Sequence, residues 1–205
     1  GRMFACGLEG IRPDRLCVAK ALTGGYLPLA ATLATERIFR AFLGPPEAGR
    51  TFFHGHSYTG NPLAAAAARA NLRLLRRRGF LAGVRRRARV LAAALAPLRA
   101  HPHVGDVRQQ GLMVGIELVA DRAPRAPFPP ARRRGNAVCE AALRRGLLLR
   151  PLGDVVVLMP PLTTTERELR WIAQTVKEAV AEATGTPVTP PTAASRGRGA
   201  PAPRR

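Results

Sequence analysis

The apolar positions of this chain change their period along its length, and each change predicts an element. Leu16-Cys17-Val18-Ala19 is a short apolar run ending at Lys20, and it reads as a buried strand. Thr23-Gly24-Gly25 supplies a loop with backbone freedom. Leu27 to Leu33 is again apolar and small. Thr35 is placed to cap a helix running to about Leu43, which Gly44-Pro45-Pro46 ends. Asn61 followed by Pro62 is a capping residue and then proline at the first turn, so a helix is predicted from there through the alanines to about Arg78. After Gly79, the residues Leu81, Val84, Ala88, Leu91 and Leu95 recur at helical spacing, while Arg85 to Arg87 and Arg89 lie mostly off that face.

From Val104 the pattern shifts. Leu112, Val114, Ile116 and Leu118 alternate as in a strand. The proline- and arginine-rich segment from Arg122 to Ala131 is predicted as a loop, and Asn136 to Arg145 as a helix. Leu147 to Arg150 and Val155 to Met159 read as two strands joined by a turn at Gly153-Asp154. Thr165-Glu166-Arg167-Glu168 is a capping box opening a helix to about Ala183, on which Trp171 is expected to pack. After Gly185 the composition collapses to Pro, Thr, Ala, Arg, Ser and Gly, which predicts a disordered basic tail. Strands alternating with helices give an α/β fold class, and no internal repeat is present.

Composition sharpens one residue. The 205-residue chain has 33 Lys plus Arg against 13 Asp plus Glu, a formal net charge of +20. That charge raises nucleic acid as a partner. However, the chain has no Cys/His finger spacing, no heptads after a basic region and no glycine-aromatic RNA motif. The arginine excess therefore reads as compositional drift, with a non-catalytic basic binding module as the rival. Only Lys20 and Lys177 among the 33 are lysines. Arginine can replace the charge of lysine but not its nucleophilic amine. Cys6, Cys17 and Cys139 are far apart and form no CxxC pair, so neither a disulfide framework nor a zinc site is suggested. A reducing cytoplasm fits them. No run is apolar for long enough to span a membrane, and no signal peptide is visible. Opening at Gly1 just before a strand, the chain is expected to be part of a longer protein.

Three segments could carry chemistry. Lys20, at the end of an apolar strand and before a glycine-bearing loop, suits either a salt bridge or a catalytic amine. Enclosure among apolar neighbours favours the free amine that Schiff-base chemistry needs. Thr51-Phe52-Phe53-His54-Gly55-His56-Ser57-Tyr58-Thr59-Gly60-Asn61-Pro62 gathers hydroxyls, histidines and glycines before a helix start. It suits either a phosphate or an ordinary capped loop. Its two histidines lack a third ligand, so no metal site is expected. Arg150, closing its strand, suits a carboxylate clamp or a plain surface position.

Taken together, these segments resemble the class III aminotransferases. Ala19-Lys20-Ala21-Leu22-Thr23-Gly24-Gly25-Tyr26-Leu27-Pro28-Leu29 looks like their cofactor-lysine segment. The loop from His54 to Leu63 and the stretch from Leu149 to Leu162 follow in the same order and at suitable spacing. The Leu-Thr-Gly-Gly-Tyr-Leu-Pro and Met-Pro-Pro variants narrow the likeness to members that act in biotin synthesis. The resemblance covers about residues 1 to 184 and implies a fold type I enzyme dependent on pyridoxal 5'-phosphate. It divides the chain into the end of a large cofactor domain (1–70), a small α+β domain (71–184) and the tail (185–205). It implies that Lys20 holds the cofactor covalently and moves the substrate proton. His56, through its backbone, and Ser57 would hold the cofactor phosphate of the other subunit of a homodimer. Gly55 would line the substrate pocket, and Arg150 would pair with the substrate carboxylate. The implied substrates are S-adenosylmethionine and 8-amino-7-oxononanoate; another class III transaminase using an ω-amino acid or a diamine is the alternative.

Two departures stand beside the likeness. The family's pyridine-binding aspartate precedes the lysine segment, and Asp14, in an Arg12-Pro13-Asp14 turn, is not at its position. The chain alone is therefore expected to be inactive, with apolar strands left uncovered. Val157 stands where some relatives carry a tyrosine near the substrate.

Overall fold

A computed structural model describes residues 1–188. The predicted tail lies outside the described residues from 189 onward. The chain divides into two compact units, Gly1–Ala82 and Gly83–Arg205. The sequence-based boundary at residue 70 falls instead inside an unbroken helix.

In the first unit, β1 (Arg15–Val18) pairs antiparallel with β2 (Ala31–Ala34), Cys17 lying opposite Thr32. A 3₁₀ turn, Lys20–Thr23, follows β1 directly. Helix α1 (Glu36–Arg40) is shorter than predicted. Thr35 occupies its N-cap position, but the hydroxyl donates to Asp14 Oδ1 (3.4 Å) rather than capping the helix. Helix α2 (Pro62–Leu75) begins as the Asn-Pro pair predicts: Asn61 Oδ1 accepts from the Leu63 N–H at 2.9 Å.

The predicted burial of the first strand does not hold. Along β1 the side chains alternate between exposed and half-buried, and β2 is exposed throughout. Two strands cannot bury both faces of their own sheet, and among the described residues no second layer covers them. The apolar residues of this unit that are buried are Ala64 and Ala68 of α2. Large ones such as Ile11, Leu33, Phe39 and Phe53 face solvent.

The second unit has a full core. Helix α3 (Phe80–Leu95), which spans the boundary, buries Val84, Leu91 and Leu95, on the predicted stripe. A 3₁₀ turn (Ala96–Ala100) leads into β3 (Val104–Gln110), which forms a hairpin with β4 (Met113–Leu118) through Gly111-Leu112. The sheet order is β3-β4-β6-β5, all antiparallel, with β5 (Arg150–Leu152) at one edge and β6 (Val155–Leu158) inside. The turn at Gly153-Asp154 is where the sequence puts it, but Arg150 opens β5 rather than closing a strand over Leu147–Arg150. Helices α4 (Arg134–Arg144) and α5 (Glu166–Thr184) pack together, and α4 also packs on β5 and β6.

Helix α5 starts with the complete capping box: Glu168 N–H donates to Thr165 Oγ1, and Thr165 N–H donates to Glu168 Oε2 (2.7 Å). Its buried stripe is Leu169, Ala173, Val176 and Val180. Trp171 lies two positions off this stripe. Contrary to the packing role expected of it, it is 47% exposed.

A buried histidine closes this unit. His101 Nδ1 accepts the His103 N–H, so the ring proton sits on Nε2, which donates to the Thr186 carbonyl at 2.9 Å. Burial pushes the His101 pKa below its usual 6.5; the Thr186 carbonyl opposes the shift and the nearby His103 adds to it. The unfolded chain binds the proton more readily than the fold does. Stability from this residue is therefore present above about pH 6.5 and lost as pH falls below it toward the depressed folded value. In urea titrations at stepped pH, the wild-type unfolding midpoint declines across that window, and H101Q flattens the decline. Equal slopes for the two proteins would contradict this account.

Candidate active site

Three segments of the chain hold the candidate residues, and local structure sets the conformation of each. At Lys20 the backbone leaves β1 and turns with φ +49°, a left-handed conformation that lysine seldom takes. Neighbouring side chains compensate. Asn71, on α2, donates through Nδ2 to the Ala21 carbonyl (2.6 Å) and the Leu22 carbonyl (3.1 Å). Thr23 is buried, and its hydroxyl donates to the Leu27 carbonyl at 2.5 Å. Gly24 and Gly25 both take positive φ, which lets the chain double back. The turn is pinned at its middle and its end, and Lys20 stands at its start, exposed. The apolar enclosure expected around this amine is not supplied by the described residues. The strained backbone and its two supports are the stronger sign that the position is specified.

In the second segment, the His56 N–H donates to Thr59 Oγ1 (2.9 Å), and the Tyr58 N–H donates to His56 Nδ1 (3.1 Å). Those bonds fold residues 56–59 into a tight turn directly before the N-cap of α2. The backbone N–H of His56 is thereby engaged within the turn. Ser57 makes no hydrogen bond through its N–H or hydroxyl among the described residues. Gly55 is exposed, and an added Cβ would come no closer than 3.4 Å to Thr59 Oγ1.

Arg150 belongs to the second unit. It is exposed, directly opposite Val157 in the ladder, and without a hydrogen-bond or ion-pair partner among the described residues. Several other arginines of the unit are paired: Arg86 with Glu166, Arg108 with Glu117, and Arg144 and Arg145 with Glu182. The tyrosine-to-valine departure therefore sits beside the carboxylate-binding candidate. Asp14 is already engaged: it pairs with Arg37 at 2.9 Å and accepts from the Thr35 hydroxyl.

Sequence reasoning proposes Lys20, Gly55, His56, Ser57 and Arg150; it does not point to Asn71 and Thr23, which hold the Lys20 turn. The signal in the sequence is faint. Asparagine is a poor interior residue for a helix, so Asn71 within an alanine- and leucine-rich run has a reason to be there beyond propensity.

A family model described as "Aminotransferase class-III" matches residues 1–180, and the chain belongs to that family. More narrowly, it is 57% identical over 180 residues to the adenosylmethionine-8-amino-7-oxononanoate aminotransferase of Nitratidesulfovibrio vulgaris, covering 88% of this chain and 33% of that protein. The crystal structure of the enzyme with the same name from Methanocaldococcus jannaschii superposes with a TM-score of 0.83 at 41% identity, over 88% of this chain and 42% of that one. An aminotransferase from Vibrio fluvialis, solved in its PMP-bound form, gives a TM-score of 0.83 at 27% identity, over 90% of this chain and 41% of that one. The chain thus spans well under half the length of the relatives it matches.

Class III aminotransferases depend on pyridoxal phosphate. The donor set here fits that group in kind. There is a primary amine on a pinned turn to hold an aldehyde, and a serine hydroxyl and N–H left open beside a helix start for a phosphate.

Asn71→Ala removes two hydrogen bonds and costs about 1–2 kcal/mol locally. Exchange of the Gly24 amide, bonded to the Ala21 carbonyl at 3.2 Å, then speeds up roughly tenfold by hydrogen-exchange NMR. An unchanged rate would show that Asn71 does not hold the turn.

Proposed function

We propose that the protein containing this chain is a pyridoxal-phosphate-dependent transaminase. In this reading it moves an amino group from S-adenosylmethionine to 8-amino-7-oxononanoate, giving 7,8-diaminononanoate for biotin synthesis. The observation that carries the reading is Lys20. It is one of two lysines in the chain, fixed in a left-handed turn at the end of a strand, within a family match that runs from residue 1 to 180. The adenosylmethionine enzymes are 39–57% identical to the chain, against 27% for the Vibrio aminotransferase, which favours this reaction over other class III chemistry.

Each residue then has a task. Lys20 Nζ holds the cofactor covalently; once released, it takes the proton from the substrate carbon that bears the amino group. Ser57 donates its hydroxyl and N–H to the phosphate of the partner subunit's cofactor in a homodimer, and Thr59 keeps the turn folded. Gly55 leaves room for substrate beside that turn. Arg150 pairs with the substrate carboxylate through two parallel hydrogen bonds. The bound cofactor supplies the electron sink. The end of the large cofactor domain, expected over residues 1–70, then extends through α2 to the end of the first unit, and the small domain follows it. A reducing cytoplasm suits the three free thiols Cys6, Cys17 and Cys139.

The test uses the protein as its native gene encodes it. Wild type consumes 8-amino-7-oxononanoate with S-adenosylmethionine and turns over ω-amino acids or diamines poorly. K20A loses the visible absorbance of covalently held pyridoxal together with turnover, by several orders of magnitude. Unchanged absorbance and turnover in that variant would sink the assignment.

A further inference from the structure

Resting on the reading of Arg150 as the carboxylate clamp, we propose that Asp154 and Gly135 form a latch that positions it. Asp154 thereby controls substrate binding without touching substrate. Strand β5 is weak by itself. It has three residues, lies at the sheet edge and carries Pro151 at its centre, which brings no N–H to the ladder. A single neighbouring strand, β6, holds it.

The missing constraint comes from α4. That helix starts after Arg133, which takes φ +44° and provides no side-chain cap; the first turn has no acidic residue. Asp154 supplies both from the β5–β6 turn, its Oδ1 accepting the Gly135 N–H at 2.9 Å. The Asp154 carbonyl also accepts the Leu118 N–H at 2.9 Å, tying the same turn to the end of β4. Contact is close enough to require glycine. A Cβ on Gly135 would lie 2.2 Å from the Gly153 carbonyl oxygen, 3.0 Å from Pro151 Cβ and 3.2 Å from Asp154 Cα. With α4 seated on the turn, β5 cannot slide without pulling Gly135 off Asp154. The Arg150 side chain has no partner of its own among the described residues, so the backbone alone aims it.

The experiment compares KM for 8-amino-7-oxononanoate and for its methyl ester, which lacks the carboxylate charge, using the cofactor-loaded protein from the native gene. D154A raises KM for the acid roughly tenfold and leaves kcat, the ester KM and the cofactor absorbance unchanged. D154N, whose amide oxygen still accepts, restores the wild-type value. In an R150A background, D154A adds nothing further, as expected of two residues acting through one contact. Should D154A fail to fold, D154E carries the test, because it moves the carboxylate by one methylene and the same KM rise follows. An R150A rise without a D154A rise overturns the latch and leaves the reading of Arg150 intact. No rise in R150A overturns that reading and the latch with it. An equal rise for acid and ester in D154A marks Asp154 as merely structural, which also overturns the proposal.

Discussion

Asn71 holds the turn on which the rest of the reading depends. One amide group reaches from α2 to two carbonyls of the Lys20–Thr23 turn. Without it, a lysine at φ +49° would sit at an unfavourable backbone angle with only the Thr23–Leu27 bond beside the turn to offset the cost. The same helix begins at Asn61-Pro62, immediately after the turn that leaves Ser57 open. One element thus fixes two groups far apart in sequence. At its N-terminus it sets the hydroxyl and N–H suited to phosphate; two and a half turns on, it sets the amine.

The two units differ in how far their sequences can satisfy themselves. The second unit buries a continuous set of side chains, including Leu91, Leu95, Leu98, Ile116, Val156, Leu158, Leu169 and Val176. Its ion pairs are mostly exposed and add little to that. The first unit buries two alanines and Thr23 while Tyr26 and Phe53 are 88% and 92% exposed. Its hydrogen bonds specify a conformation, but its large apolar side chains remain largely exposed. Lys20 belongs to this unit, and its exposure follows from the same shortage of cover.

Much of the fold is legible in the sequence where one period dominates. The α3 stripe, the Asn-Pro start of α2, the capping box of α5 and the Gly153-Asp154 turn all appear at their predicted places. Errors arise where two signals compete. Strand β3 is missed because its buried residues Val104 and Val107 are three apart, a spacing that breaks the alternation of a strand and that the register shift between Val104 and Asp106 accommodates. Thr35 has a capping residue's identity but spends its hydroxyl on Asp14. Arg150 stands out in the sequence, yet the contact that seats α4 on the β5–β6 turn beside it joins Gly135 and Asp154, which are 19 residues apart. No local pattern encodes such a contact. The candidate residues Lys20, Ser57 and Arg150 are legible in the sequence, whereas the groups that hold them are tertiary.

The central claim is that Lys20 is the residue to which pyridoxal phosphate attaches. Borohydride reduction of the cofactor-loaded protein from the native gene, followed by proteolysis and mass spectrometry, tests it directly. With arginine at nearly every other cationic position, this chain offers only Lys20 and Lys177 to label. The account predicts a phosphopyridoxyl group on the peptide containing Ala19-Lys20-Ala21. Label on Lys177, or on neither lysine, would contradict it.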